Sequence, residues 1–71
     1  MKNLEIGGIY KHFKGAKVQV ICEALHSETE EPFVVYIHLE NNVSWVRPKE
    51  MFLENVDRDG YKGPRFKYIG E

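Results

Sequence analysis

The strongest constraint on the fold is a nine-residue alternation at positions 17–25. Small or apolar side chains occupy one parity of this stretch: Val18, Val20, Cys22 and Ala24. Successive side chains of a β-strand point to opposite faces, so the pattern predicts a half-buried strand over 17–25. The same pattern places Cys22 on the buried face.

Further short segments favour strands on either side of this one. Gly8 and Gly15 bound a short first strand, and 32–40 is apolar or aromatic on both parities, which is typical of a central strand. Asn41 and Asn42 both tolerate positive φ, so they suit a two-residue type I′ turn leading to a return strand over 43–47.

After the hairpin the pattern changes. Pro48 ends the return strand and suits the start of a helical turn that runs through Phe52. A further strand over 53–56 is expected after that turn. Residues 57–64 are rich in charge, Gly and Pro, which predicts a loop, and 65–69 alternates again and is expected to pair along a sheet edge.

Size limits what such a chain can do. With 71 residues it forms one domain, and 42% hydrophobic residues are enough for a small core. Most large side chains are then needed for folding, which disfavours a deep catalytic cleft. Ten basic and eleven acidic residues nearly cancel, so any binding of nucleic acid needs a local patch.

These elements predict an all-β fold, a small SH3-like, partly open barrel of about five strands with one short helical turn. Residues 1–71 are interpreted as a single domain in which 57–71 forms a charged, Gly/Pro-containing C-terminal extension. The longest apolar runs are too short to cross a membrane. One cysteine and no apolar leader favour a reducing, cytoplasmic setting.

Several motifs in order resemble a bacterial family catalogued as domain of unknown function 1653. They run through about 7–66 and comprise Gly8-Ile9-Tyr10-Lys11-His12-Phe13-Lys14-Gly15, His26-Ser27-Glu28-Thr29, Val34-Val35-Tyr36, Trp45-Val46-Arg47-Pro48 and Met51-Phe52. The resemblance implies an SH3-like barrel and a cytoplasmic bacterial setting, and it implies no activity. Relatives tend to continue Val-Val-Tyr with further aromatic residues and a glycine. In this chain, residues 37–42 contain no Phe, Tyr or Trp and no glycine.

The predicted hairpin supplies the main candidate binding site. A two-residue loop would pair Tyr36 with Arg47, His38 with Trp45 and Ile37 with Val46. Parity then gathers four candidate binding residues on one face: Tyr36, His38, Trp45 and Arg47. Phe33, Val35, Ile37, Leu39 and Val46 fall on the other face.

Aromatic surface beside an arginine suits stacking on a base or a proline while the guanidinium holds a phosphate or carboxylate. The alternative is structural, with Trp45 and Tyr36 closing the barrel and Arg47 capping them, and a chain this short favours it.

A second candidate site is centred on His12, His26 and Glu28, which would suit a small ligand or a metal. Nearby residues do not complete a closed zinc site, so no metal and no cofactor is predicted. His26, Ser27 and Glu28 do not form a catalytic set, because neighbours on a strand point to opposite faces. The Asp57-Arg58-Asp59-Gly60 segment lacks the ligands of a calcium loop and favours a turn.

The C-terminal stretch is the only concentrated basic segment. Its Arg58, Lys62, Arg65 and Lys67 alternate with Tyr61, Phe66 and Tyr68, as in single-stranded nucleic acid sites. The plainer interpretation is a solvated edge whose rings pack inward. The sequence therefore predicts a noncatalytic interaction module for a peptide or nucleic-acid partner, with no membrane partner, and a small-ligand or metal-binding protein as the alternative.

Overall fold

The computed structural model describes residues 4–70. They form seven β-strands and one short α-helix in the order β1 (Ile9–His12), β2 (Lys17–Leu25), β3 (Pro32–His38), β4 (Ser44–Pro48), α1 (Lys49–Leu53), β5 (Asn55–Arg58), β6 (Tyr61–Pro64) and β7 (Phe66–Gly70). The predicted all-β class with one short helical turn is confirmed.

The strands form two antiparallel sheets. Five of them make one sheet in the order β4-β3-β2-β1-β7, and β5 pairs with β6 in the other. Over residues 4–70 the hydrogen-bonded strands do not close into a barrel. The SH3-like description stays a prediction.

Strand β2 has the predicted bounds, but the predicted burial of Cys22 is wrong. Pairing with β3 shifts by one residue between Val20 and Cys22, so Ile21 forms a β-bulge. Val18 and Val20 are fully buried before the bulge, whereas Ile21 and Cys22 are exposed. One extra residue inverts the alternation beyond it, because two residues of the bulged strand oppose one of its partner.

The predicted register of the β3–β4 hairpin is also wrong. Tyr36 pairs with Trp45 and Val35 with Val46, so the loop between β3 and β4 spans residues 39–43 rather than two residues. Asn42 alone has a positive φ, of 58°, whereas a type I′ turn needs two such residues. The Asn41 side chain instead accepts a hydrogen bond from the Val43 N–H at 3.0 Å.

This change leaves the two faces of the hairpin as predicted, because each pairing moves by two residues. The face that carries Val34 and Tyr36 is the inner one, where both residues are buried. The opposite face is outward, and Val46 there is 60% exposed. The core therefore lies under the same face as the four candidate binding residues.

The helix closes the core with one side chain. Pro48 precedes α1 with φ of −53°, which preorganises the start of the turn. Phe52 of α1 is fully buried against the inner face of the sheet. Its ring contacts those of Tyr10, Tyr36 and Phe66, at centroid distances of 5.3, 5.4 and 4.2 Å.

The segment predicted as a loop at 57–64 is largely a hairpin. The prediction of a turn at Asp59 and Gly60 is confirmed, since both have positive φ, of 55° and 80°. The turn joins Arg58 directly to Tyr61 in the β5–β6 pair. Strand β6 was missed because charged and Gly/Pro-rich residues give no alternation, whereas β5 overlaps the strand predicted over 53–56.

Strand β7 confirms the expected edge pairing at the C-terminal end. It pairs antiparallel with β1 at the edge of the large sheet and buries Phe66. The helix found among residues 4–70 has five residues, which falls short of the length and apolar character that crossing a membrane requires.

Candidate functional site

The four predicted binding residues lie together on the inner face of the β3–β4 hairpin. The ring of His38 lies 6.0 Å from the ring of Trp45 and 6.0 Å from that of Tyr36, measured between centroids. The Arg47 Nε lies 3.5 Å from the Tyr36 hydroxyl oxygen. Adjacent strands and alternating parity produce this cluster, which is named the hairpin site below.

Burial differs sharply within the hairpin site. Tyr36 is only 3% exposed and belongs to the core, whereas Trp45 is 53% exposed at the sheet edge formed by β4. His38 and Arg47 are half-buried. Tyr36 is therefore a core residue, as the structural alternative in the sequence analysis expects, while Trp45 presents an aromatic surface to solvent.

Arg47 is held by rings rather than by a carboxylate. Its guanidinium carbon lies 5.7 Å from the centroid of the Phe66 ring, within cation–π range. The contact with the Tyr36 hydroxyl is long for a hydrogen bond. Among residues 4–70, Arg47 makes no ion pair, so the hairpin site contains a cation whose charge is not neutralised by a direct contact.

His12 lies close to this cation. Burial lowers the pKa of His12, and the positive charges of Arg47, Arg65, Lys14 and His38 lower it further. The Nδ1 of His12 accepts a hydrogen bond from the Lys14 N–H at 3.1 Å, which leaves the proton of the neutral ring on Nε2. His12 is therefore partly buried near several positive charges on the inner face, and it offers one N–H donor there.

Arg65 belongs to the same region but has a carboxylate partner. Its Nη2 lies 2.6 Å from the Glu54 Oε1, and only 13% of its side chain is exposed. Its buried Nε has no hydrogen-bond partner among the described residues. Glu54 therefore offsets much of the charge of Arg65 and leaves Arg47 as the more available guanidinium.

The structure does not bring together the alternative site of His12, His26 and Glu28. His12 ends β1 beside the start of β2, whereas His26 and Glu28 follow the far end of β2. The Nδ1 of His26 accepts hydrogen bonds from the N–H groups of Glu28 and Thr29, at 3.1 and 3.3 Å. His26 thus stabilises its own turn, and no group of three His, Cys, Asp or Glu side chains in residues 4–70 is arranged to hold a metal.

The C-terminal basic stretch is dispersed over several surfaces. Lys62 lies 4.0 Å from Asp57, Arg65 binds Glu54, and Phe66 is in the core. Tyr61 stacks on Phe13, with centroids 5.4 Å apart and an angle of 16° between the rings. Sequence spacing gave no sign that Arg65 would join His12 and Arg47, because His12 ends β1, Arg47 is in β4 and Arg65 lies between β6 and β7.

Fold and site define a small antiparallel β domain whose inner face carries an exposed aromatic ring and an arginine that makes no ion pair among residues 4–70. The chain belongs to the family described as protein of unknown function (DUF1653), whose model matches residues 8–68. The crystal structure of a DUF1653 protein from Bordetella bronchiseptica is similar, with 32% identity, a TM-score of 0.85 and coverage of 99% of this chain and 92% of that one. No curated protein matches the chain with significance.

Proposed function

We propose that this protein is a noncatalytic interaction module that binds the anionic group of a peptide or nucleic-acid partner through the hairpin site. The observation that carries the proposal is the position of Arg47, which lies over Phe66 and beside Tyr36 without a carboxylate partner in the described chain. A half-buried guanidinium gains most from a phosphate or carboxylate that it binds through two hydrogen bonds.

Trp45 gives the partner a second point of contact. Trp45 is 53% exposed on β4, two residues before Arg47 on the same face. An anion at Arg47 and a planar group on Trp45 would therefore belong to one ligand. Buried Tyr36 and Phe66 support the site from below, so binding requires little rearrangement.

Only binding is assigned to this site. The hydroxyl of Tyr36 is beside Arg47, and His12 and His38 are the nearby imidazoles. The described chain places no Ser, Thr or Cys nucleophile among them with a base in hydrogen-bond reach, as nucleophilic catalysis would require. We propose a reducing cytoplasm of a bacterium as the setting, in keeping with the unpaired Cys22.

Inorganic pyrophosphate tests the anion-binding part of the proposal. Titration followed by amide and imidazole NMR signals is expected to shift Arg47, His38 and His12 together. The Arg47→Ala variant should weaken binding by about 1 to 3 kcal/mol, the range for charge-assisted hydrogen bonds.

Lys49→Ala is the matched control, because it also removes one positive charge but from a side chain already paired with Glu23 at 3.0 Å. It should leave pyrophosphate binding unchanged. Equal losses in both variants would mean that pyrophosphate responds to net charge, and unchanged binding in Arg47→Ala would remove the hairpin site from consideration.

A further inference from the structure

Three lysines oppose one another across the outer face of the large sheet. Lys11 of β1 pairs directly with Lys17 of β2 on one side and with Lys67 of β7 on the other. All three side chains are exposed. Directly paired residues on one face have Cβ atoms about 4.5 to 5.5 Å apart, so the three lysine side chains start from a row across three strands, named the lysine row below.

This arrangement is costly for the isolated domain. Like charges that are directly opposite destabilise a sheet pair, and here one lysine is opposed on both sides. None of the three makes an ion pair with the described carboxylates. Glu40 and Lys17 line the same shallow depression, but they form no ion pair. The row is a local positive patch on a chain whose formal net charge is −1.

Aromatic surface adjoins one end of the row. Lys11 and Lys67 line a depression of about 200 Å³ together with His12, Phe13 and Tyr61. Drug-sized ligands occupy cavities of about 300 to 1,000 Å³, so this one suits a single planar ring. Tyr61 is kept in place by its stacking on Phe13 and by a hydrogen bond from its hydroxyl to the Pro64 carbonyl at 2.9 Å.

We propose that the lysine row and its adjoining depression bind single-stranded nucleic acid, with phosphates along Lys17, Lys11 and Lys67 and a base against Tyr61. Cations that follow a backbone beside rings that stack on bases are the components of such sites. An acidic peptide would use the lysines without the rings. A duplex would offer phosphates to the lysines but keep its bases stacked and paired, so none would be free to stack on Tyr61.

The lysine row and Arg47 lie on opposite faces of the large sheet, although His12 borders both sites. Tyr10 and Phe66 alternate with Lys11 and Lys67 along their strands and are buried on the inner face. The lysines therefore point outward, away from Arg47. Variants of Arg47 and variants of the lysine row consequently test separate proposals.

The test is fluorescence anisotropy with a labelled oligothymidylate of about ten nucleotides, a length within the range for one small β domain, at several salt concentrations. Three phosphate contacts predict a slope of log Ka against log salt near −2, from about 0.7 per contact on a single strand. Lys11→Ala and Lys67→Ala should each weaken binding several-fold and reduce the slope by about 0.7.

Lys49→Ala again serves as the control and should change neither affinity nor slope. An abasic oligonucleotide of the same length, used with the unaltered protein, should bind at least fivefold more weakly because it lacks the stacking base. Since no substitution is involved, that comparison is independent of any loss of folding.

Several outcomes would overturn the proposal. The first is that the oligothymidylate does not bind at low salt. The second is that Lys11→Ala and Lys67→Ala leave its affinity unchanged. The third is that the abasic strand or polyglutamate binds as tightly as the oligothymidylate. If Arg47→Ala lost binding while the lysine variants did not, the nucleic acid would bind at the hairpin site, which would also overturn the proposal.

Discussion

The rings of Phe52 and Phe66 stack face to face, with centroids 4.2 Å apart and an angle of 7° between their planes. Phe52 belongs to α1 and Phe66 to β7, at one edge of the large sheet. The same Phe66 ring supports Arg47 on the inner face. The core contact that holds the helix against the last strand is therefore also the base of the hairpin site.

Replacing Phe52 by alanine should cost about 3 to 5 kcal/mol of unfolding free energy, the range for removing a buried aromatic ring. Phe52 is fully buried, and so small a domain has little stability to lose. Denaturant unfolding measures the loss. Met51→Ala is the control on the same helix, since Met51 is 43% exposed and should cost far less; equal losses would contradict the assignment of Phe52 as the centre of the core.

Trp45→Ala should cost less than about 1.5 kcal/mol of stability, because about half of the residue is already exposed to water. Tyr36→Ala, which truncates its buried cross-strand partner, should cost about 3 to 5 kcal/mol. The two variants compared by urea unfolding separate a surface tryptophan from a core tyrosine. If Trp45→Ala unfolds the domain, the exposed aromatic part of the hairpin site is wrong.

The lowered pKa of His12 predicts a specific dependence of stability on pH. Burial and the charges of Arg47, Arg65, Lys14 and His38 disfavour protonation in the folded state relative to the ordinary value of 6.5. The unfolded chain then binds more protons, so the His12 contribution to stability declines as pH falls below about 6.5 and stops changing once pH is below the folded-state pKa.

An NMR titration of the His12 ring should give a midpoint below 6.5. The His12→Asn variant keeps an acceptor for the Lys14 N–H and should lose this part of the acid sensitivity. Bound pyrophosphate should raise the His12 midpoint, because an anion offsets the surrounding positive charge. A midpoint at or above the ordinary value would contradict the placement of His12 beside these cations.

Cys22 should react with a thiol reagent in the native protein at a rate close to that of an exposed cysteine. The bulge at Ile21 turns Cys22 to the outer face, where it is exposed. Cys22→Ser should accordingly change the unfolding free energy by about 0.5 kcal/mol or less. If labelling is slow in the native protein and becomes fast only on unfolding, Cys22 is buried and the assignment of a bulge at Ile21 is wrong.

Gly60→Ala should destabilise the domain by about 1 to 2 kcal/mol, the cost of a left-handed conformation for a residue with a Cβ. Gly60 has φ of +80° and open space around the position of a Cβ, so backbone strain is the sole expected cause. Asp59→Gly in the same turn should cost little, because Asp59 already has φ of 55°. Equal effects of both substitutions in thermal unfolding would contradict the two-residue turn.

Much of the fold was determined by local sequence. The alternation over 17–25 gave β2 its observed bounds, Pro48 marked the junction of β4 and α1, and Asp59 with Gly60 formed a turn. The first is a nine-residue alternation of strand period, and the other two depend on steric preferences of one to four neighbouring residues. The shared face of Tyr36, His38, Trp45 and Arg47 also followed from parity alone, because the error in register was an even number of residues.

The tertiary structure decided what no local preference specifies. The bulge at Ile21 reversed the expected burial of Cys22, and only pairing with β3 reveals it. Likewise, Lys11 and Lys17 come from consecutive strands, but Lys67 is placed opposite Lys11 only because β7 pairs with β1 from the other end of the chain. The sequence predicted which side chains share a face of a strand. Which of them are exposed to solvent was determined by the packed sheet, because burial and electrostatic potential depend on residues that are distant in the sequence.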